Sequence, residues 1–178
     1  NALAALLMAR YAGLSDEQIQ AGFDTFEGIR RRMEIRGEVN GVTVIDDFAH
    51  HPTAIRETLK ALGRRFPERR VWAIFEPRSN TTRRNHFQIE LAEALRLAKR
   101  VVVAEVARLE QVPPEERLNP AQLMADIRAA GVETDYLPTA DEIVAHVVPQ
   151  AQPGDILCVL SNGGFDNIHQ KLIDALEA

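Results

Sequence analysis

The sequence predicts an α/β fold, a mostly parallel sheet with helices on both faces, and three observations carry that expectation. Short runs rich in β-branched residues, among them Val42–Ile45, Val71–Phe75, Val101–Ala104 and Ile156–Leu160, are apolar throughout, as strands buried on both faces are. Between them lie amphipathic stretches that start with helix caps. The two patterns take turns along the chain, the order that builds βαβ units.

Residues 1–12 read as a helix, and Ser15 followed three residues later by Gln18 is a capping-box signature for a second helix to about Phe23. After Phe26-Glu27-Gly28 the chain turns basic at Arg30-Arg31-Arg32. Met33 to Glu38, Asn40-Gly41 and Val42 to Ile45 read as a β-hairpin, because Asn-Gly suits the two-residue turn that joins such strands. A domain boundary is expected at this hairpin, dividing the chain into residues 1–36 and 37–178. Pro52 to about Leu62 places Ile55, Leu59 and Leu62 on one helical face. Val71–Phe75 is the next buried strand, His86 to about Leu97 a helix, and Val101–Ala104 a strand. Asn119-Pro120 is a cap and first turn for a helix through Ala129 that Gly131 ends. Glu133–Leu137 is a short strand, Thr139 with Glu142 caps a further helix, Ile156–Leu160 is a strand, and Asn167 to Ala175 is the closing helix. The result is Rossmann-like in its alternation.

With 178 residues and 46% hydrophobic content, the chain suits one ordinary domain and a small appendage. A net charge of −5 and a pI near 5.6 argue against a nucleic-acid surface, and the local cluster Arg64-Arg65 with Arg69-Arg70 reads as a solvated helix end. The single cysteine, Cys158, lies inside an apolar run, so no disulfide framework or thiolate metal site is expected and a reducing cytoplasm fits. No apolar stretch has the length of a membrane span. The first residues, Asn1 to Met8, already follow a helix pattern, and the chain is expected to be a fragment of a longer polypeptide.

The chemistry gathers in three irregular segments, each following an apolar strand, and parallel topology brings such segments to one sheet edge. They are Asp46-Asp47-Phe48-Ala49-His50-His51, the stretch Glu76 to Asn85, and Ser161-Asn162-Gly163-Gly164-Phe165. Carboxylates, imidazoles, hydroxyls, backbone amides and the guanidinium groups of Arg78, Arg83 and Arg84 suit a ligand bearing phosphates and carboxylates. The plainer alternative is that a histidine or aspartate only caps the helix opened by Pro52, that loop arginines are solvated, and that Gly-Gly is a turn. His169 reads as structural or surface-facing. His86 and His146 lack an acid or Cys partner at ligand spacing, and no metal site is expected. Neither Gly-x-Gly-x-x-Gly, a P-loop, nor Gly-x-Ser-x-Gly occurs.

Asp-Asp-Phe-Ala-His-His-Pro resembles the segment that opens the C-terminal domain of the Mur ligases, the ATP-dependent amide-forming enzymes of peptidoglycan synthesis. The likeness extends over the whole chain. Asn1-Ala2-Leu3-Ala4-Ala5 is similar to the tail of a helix in that family's central ATPase domain, and Phe26 to Glu34 to the stretch ending it. The resemblance implies that Arg32, Asp47 and Phe48 contact ATP and that His50 faces the reacting centre. By the same resemblance, acceptor and sugar-nucleotide contacts fall to His51, Arg78, Ser79, Asn80, Thr81, Arg83, Arg84, Ser161, Asn162, Gly163 and Gly164. Phe75 to Thr81 and Ser161 to Phe165 look like the branch that joins UDP-N-acetylmuramate to the murein tripeptide L-alanyl-γ-D-glutamyl-meso-diaminopimelate. An L-alanine-adding relative is the rival within the family, from which Glu76, Arg78, Ser79 and Asn80 depart. A non-catalytic nucleotide-binding or interaction module is the rival outside it. ATP and Mg2+ are expected to be held mainly by other domains of the same chain, so this fragment is expected to be inactive alone.

Overall fold

The structure, a computed structural model, describes residues 2–178; Asn1, part of the expected first helix and of the family-like tail, lies outside the described residues. Six strands form one sheet: β1 (Glu34–Val39), β2 (Val42–Asp47), β3 (Val71–Phe75), β4 (Arg100–Ala104), β5 (Glu133–Leu137) and β6 (Ile156–Leu160). Their spatial order is β1-β2-β6-β3-β4-β5, with β1 antiparallel to β2 and every other pair parallel. Seven α-helices accompany them among the described residues: α1 (Ala2–Tyr11), α2 (Asp16–Asp24), α3 (Pro52–Arg65), α4 (Gln88–Leu95), α5 (Pro120–Ala129), α6 (Ala140–Val147) and α7 (Ile168–Glu177). The expected α/β, Rossmann-like sheet is present.

Strand side chains alternate between two cores because successive residues point to opposite faces. Val71, Ala73 and Phe75 pack with Leu59, Leu62, Leu95 and Ile127 under α3, α4 and α5. Trp72 and Ile74 pack on the other face with Ile143, Val147 and Leu172 from α6 and α7. Each large side chain so buried contributes about 1.5–3 kcal/mol.

The helix starts follow their sequence signals. Both bonds of the Ser15–Gln18 capping box form, at 2.9 and 3.3 Å. Asn119 accepts from the Gln122 amide at 3.1 Å, and Thr139 from that of Glu142 at 3.2 Å. At the hairpin, Asn40 and Gly41 have φ of 51° and 78°, the paired positive values that a two-residue turn between twisted strands requires.

Several boundaries differ from expectation. Asp46 and Asp47 belong to β2, since pairing with β6 continues to Asp47 opposite Leu160. The helix expected from His86 opens as a 3-10 turn over Asn85–Phe87, and two more such turns, Leu109–Gln111 and Pro114–Glu116, lie unforeseen between β4 and α5. Arg64 and Arg65 are exposed, but Arg69 and Arg70 are not a solvated helix end. Arg70 forks onto Asp155 at 2.8 and 2.6 Å, and Arg69 donates to the Gly154 and Asp155 carbonyls and the Thr43 hydroxyl. A planar guanidinium can tie several acceptors at once, and these two close the amino edge of the sheet across β2, β3 and β6. Burial works to raise the Asp155 carboxyl, but Arg70, the Gln152 amide and Trp72 outweigh it and hold the group below the ordinary carboxylate value.

The Asn40-Gly41 turn also abuts Pro153: a Cβ on Gly41 would lie 3.1 Å from the Pro153 Cβ. Gly41→Ala is therefore expected to cost about 1 kcal/mol or more, from left-handed strain together with this crowding. Urea unfolding would show a lower midpoint with an unchanged slope.

Candidate functional site

β2, β6 and β3 are parallel neighbours, and Asp47 and Phe75 both stand opposite Leu160. The three segments therefore leave the sheet at one level and one edge, as expected, beside the strand where the winding order turns back. The contacts between them were not legible beforehand.

At their centre is Asp46, 3% exposed. Its carboxylate pairs with Arg31, whose Nε is 3.3 Å away, and with His169, whose Nε2 is 3.2 Å away though off the axis of a good hydrogen bond. Arg31 Nη2 donates to the carbonyls of Ser161 (2.6 Å) and Gly163 (2.8 Å), and its guanidinium lies 5.1 Å from the centre of the Phe48 ring. The Phe48 amide in turn donates to the Arg31 carbonyl at 2.8 Å. One arginine thus fastens the segment before β1, the end of β2 and the loop after β6. Burial would raise the Asp46 carboxyl, but the close approach of His169, with Arg31, holds it below the usual range. His169 is accordingly structural and buried, not surface-facing.

Asp47 straps the next turn. It accepts from the Met33 and Ala49 amides at 2.8 Å each and from the Thr58 hydroxyl at 3.2 Å, filling about three of a carboxylate's roughly four acceptor positions. Phe48 is half-buried, with Arg32 5.5 Å from its ring centre and the His50 ring edge-on at 5.1 Å.

The two histidines use Nδ1 in opposite ways. His50 Nδ1 lies 2.8 Å from the Phe48 carbonyl, which can only accept, so Nδ1 donates and Nε2 is left facing away from that bond. His51 Nδ1 accepts from the Thr53 amide at 3.3 Å as the cap of α3, leaving Nε2 as its donor. His51 is thereby a cap as well as an expected contact, and its ring meets Phe87 at 4.9 Å.

In the second segment, Glu76 is buried and accepts from the Ser161 hydroxyl at 2.5 Å, and Arg78 Nη1 lies 3.6 Å from its other oxygen. Arg78 lies over Gly163, where a Cβ would come within 2.6 Å of its guanidinium. Ser79 and buried Thr82 hydrogen-bond each other at 2.9 Å, while Asn80 accepts from Arg83. Thr81 is half-buried in the same turn, and its carbonyl accepts from the Arg84 amide.

Arg83 and Arg84 are half-buried and bonded within the chain. Arg83 donates to the Arg108 carbonyl at 3.2 Å, and Arg84 pairs with Glu116. They hold the β4–α5 connection and stand apart from Arg78. In the third loop Ser161 is fully buried and accepts from the Gly163 amide at 2.9 Å, Asn162 Oδ1 is buried with no partner, and Gly164 is exposed. Sequence reading missed Arg31, Asp46, Glu76 and His169 as the groups that join the loops. The Arg30-Arg31-Arg32 run and the doubled acid were the available signals, but which arginine turns inward depends on the left-handed backbone at Arg31 (φ 57°). Likewise His146, without an acid at ligand spacing in sequence, meets Asp135 at 3.0 Å across the fold.

The Mur ligase, glutamate ligase domain family matches residues 31–163. The chain is 41% identical, over 99% of its length and 36% of the relative's, to UDP-N-acetylmuramate–L-alanyl-γ-D-glutamyl-meso-2,6-diaminoheptandioate ligase of Escherichia coli. It is 38% identical, over 98% of its length and 36% of the relative's, to UDP-N-acetylmuramate–L-alanine ligase of Nostoc punctiforme. A solved murein peptide ligase from Psychrobacter arcticus superposes with a TM-score of 0.74 at 37% identity, over 99% of this chain and 36% of that one. The chain spans a little over one third the length of these relatives.

The depressed Asp46 gives the site a pH signature. Because its folded pKa lies below the unfolded value of about 3.9, its stabilisation is complete above that pH and is lost as pH falls through the depressed folded value. Asp46→Asn is expected to cost about 1.5–3 kcal/mol near neutrality, and its deficit should shrink below about pH 4. Denaturant curves of both proteins between pH 7 and 3 measure this, and a pH-independent gap would remove the pairing as its cause.

Proposed function

The chain belongs to the Mur ligase family, whose glutamate ligase domain matches residues 31–163, and from that premise we propose that it is the C-terminal part of an ATP-dependent ligase joining UDP-N-acetylmuramate to L-alanyl-γ-D-glutamyl-meso-diaminopimelate. The observation that carries this reading is the meeting of the three chemistry-bearing segments at one edge, in a chain so similar to a ligase named for those substrates. Free L-alanine as acceptor is the second reading, favoured by the similarity to an L-alanine ligase.

In the proposed reaction ATP phosphorylates the muramoyl carboxylate, releasing ADP. The peptide amine then adds to the acyl phosphate, and the tetrahedral intermediate collapses to the amide and inorganic phosphate. Such chemistry needs positioned charge more than a covalent nucleophile. His50 is assigned to the reacting centre, and Arg32, Phe48 and Asp47 to the nucleotide. Since Asp47 already serves three donors of its own chain, its part at the ATP ribose would use the acceptor position left over. His51 Nε2, Arg78, Ser79, Asn80, Thr81, Asn162, Gly163 and Gly164 are assigned to the acceptor and sugar nucleotide. Ser161, Arg83 and Arg84 are assigned to holding those loops in place, because their contacts lie within the chain.

Mg2+ would neutralise phosphate charge during transfer. Among the described residues no three His, Cys, Asp or Glu side chains form a set able to hold a metal, so no part of its coordination is assigned here. Residues up to about Met33 are proposed to belong to the central domain: α1 buries none of its residues, and Leu3, Leu7, Met8 and Tyr11 stand exposed as an apolar face in need of cover. A division after residue 36 would cut β1, whereas one before Glu34 leaves the sheet whole. Among the described residues no helix is long and apolar enough to cross a membrane. A cytoplasmic setting is proposed because both nucleotide substrates reside there.

The full-length enzyme should join the two substrates with release of ADP and phosphate, and the isolated 178-residue chain should not. Arg78→Ala in the full-length enzyme should raise the KM for tripeptide about 10- to 100-fold and leave that for ATP nearly unchanged, while His50→Ala should act mainly on kcat. Steady-state kinetics decide both. Equal losses for every substrate with Arg78→Ala would remove it from acceptor binding, and a preference for free L-alanine would transfer the assignment to the second reading.

A further inference from the structure

The stretch from Ser161 to His169 leaves β6, turns and enters α7, and a single ion pair holds both of its ends. Arg31 Nη2 takes the carbonyls of Ser161 and Gly163 at 2.6 and 2.8 Å, while Asp46, the partner of Arg31 Nε, lies 3.2 Å from His169 Nε2 on the first turn of the helix. The chain between is bent hard. Phe165, Asp166 and Asn167 have φ of 44°, 48° and 54°, three consecutive residues with side chains in left-handed backbone, where a Cβ crowds the following carbonyl. Such backbone persists only where its surroundings over-determine it. Phe165 is buried in the core with Ile143 and Leu172, and Lys171 ties Asp166 to Asp141, which fixes the middle of the turn. The ion pair fixes its ends. Arg31 is itself anchored, since its amide donates to Glu34 at 2.7 Å and its carbonyl accepts from the Phe48 amide at 2.8 Å.

We propose that the Arg31–Asp46 pair is a clasp on the loop after β6, with Arg31 a positioning residue for the attacking amine of the acceptor and His169 the clasp's far anchor. The inference rests on the reading that the Ser161–Gly164 loop meets the acceptor, and it adds what keeps that loop in shape before the acceptor arrives. Arg31 touches no substrate in this scheme. It acts through the two carbonyls it holds, and these set where the Gly163 and Gly164 backbone stands beneath Arg78. Attack of an amine on an acyl phosphate tolerates little misplacement, because an error of about 1 Å can cost on the order of 100-fold in rate. A loop that its ligand had first to order would also draw that cost from binding. Lysine cannot replace the arginine here, since one ammonium on a flexible stem lacks the planar fork that reaches a carboxylate and two carbonyls together.

The test uses the full-length ligase, varying each substrate with the other two saturating. Arg31→Lys keeps a cation beside Asp46, and with it the fold, but gives up the fork; it should raise the KM for the tripeptide about tenfold and leave those for ATP and UDP-N-acetylmuramate within about twofold. Arg31 adjoins Arg32, so a position away from the nucleotide is tested as well. His169→Leu should move the tripeptide KM the same way by about threefold, and His169→Gln, which again presents an N–H to Asp46, should recover most of the wild-type value. A residue that only stabilised the fold would lower the active fraction, and hence the apparent kcat, without splitting the three KM values. Hydrogen exchange on the ligand-free enzyme reads the clasp without any substrate: the Gly163 and Asn167 amides, bonded to Ser161 Oγ and the Gly164 carbonyl, should exchange about tenfold faster in Arg31→Lys. Equal KM shifts for all three substrates, no shift, or unchanged exchange would overturn the clasp and leave the ligase reading standing. A wild-type enzyme that used free L-alanine and rejected the tripeptide would overturn the tripeptide reading instead, and the same KM split measured on L-alanine would then decide the clasp.

Discussion

The burial of one carboxylate, Asp46, constrains the rest of this structure. A charge removed from water needs partners, and the last turn of β2 lies too deep for solvent to supply them. Arg31 and His169 come from opposite ends of the chain to meet it. Arg31 then has donors to spare, and it spends them on the Ser161 and Gly163 carbonyls. The conformation of the loop after β6, and hence the position of Gly163 beneath Arg78, follows from satisfying that buried acid.

The same accounting separates the charged groups of the edge into two kinds. Arg31, Arg83, Arg84, Asp47 and Ser161 spend most of their bonding capacity within the chain and act chiefly as scaffold. His50 Nε2 and much of Arg78 are left with few partners within the chain. A rigid scaffold with few free groups is what charge-directed acyl chemistry calls for, since donors already oriented need no rearrangement when charge develops. The two adjacent histidines follow this division: one ring caps a helix, and its neighbour's Nε2 takes no part in the bond that holds it.

Sheet topology places the edge, and a second set of buried bonds keeps it there. Arg69 and Arg70 close the amino edge on Asp155 as Arg31 closes the carboxyl edge on Asp46. Both clamps bridge β2 and β6, strands far apart in sequence and adjacent in space. The return of the chain from β5 to insert β6 between β2 and β3 makes both clamps possible.

The sequence by itself determined the alternation of elements, the two-faced burial of the central strands, the cap residues of α2, α5 and α6, the Asn40-Gly41 turn and the edge where three loops gather. These are local or periodic properties: apolar runs, a capping side chain three residues from its amide, a turn dipeptide with positive φ. The residues of the Asp46–His50 and Ser161–Gly164 stretches could be named from their wording alone. Only the tertiary structure decided which arginine of Arg30-Arg31-Arg32 turns inward, that Arg83 and Arg84 are committed to a distant segment, that Arg69 and Arg70 are clamps and not a wet helix end, and that His169 is buried against Asp46. Each of these depends on a partner at least a dozen residues away in sequence. No periodicity encodes such a partner, because it is selected by the need to satisfy a buried charge or carbonyl once the sheet has brought the two together.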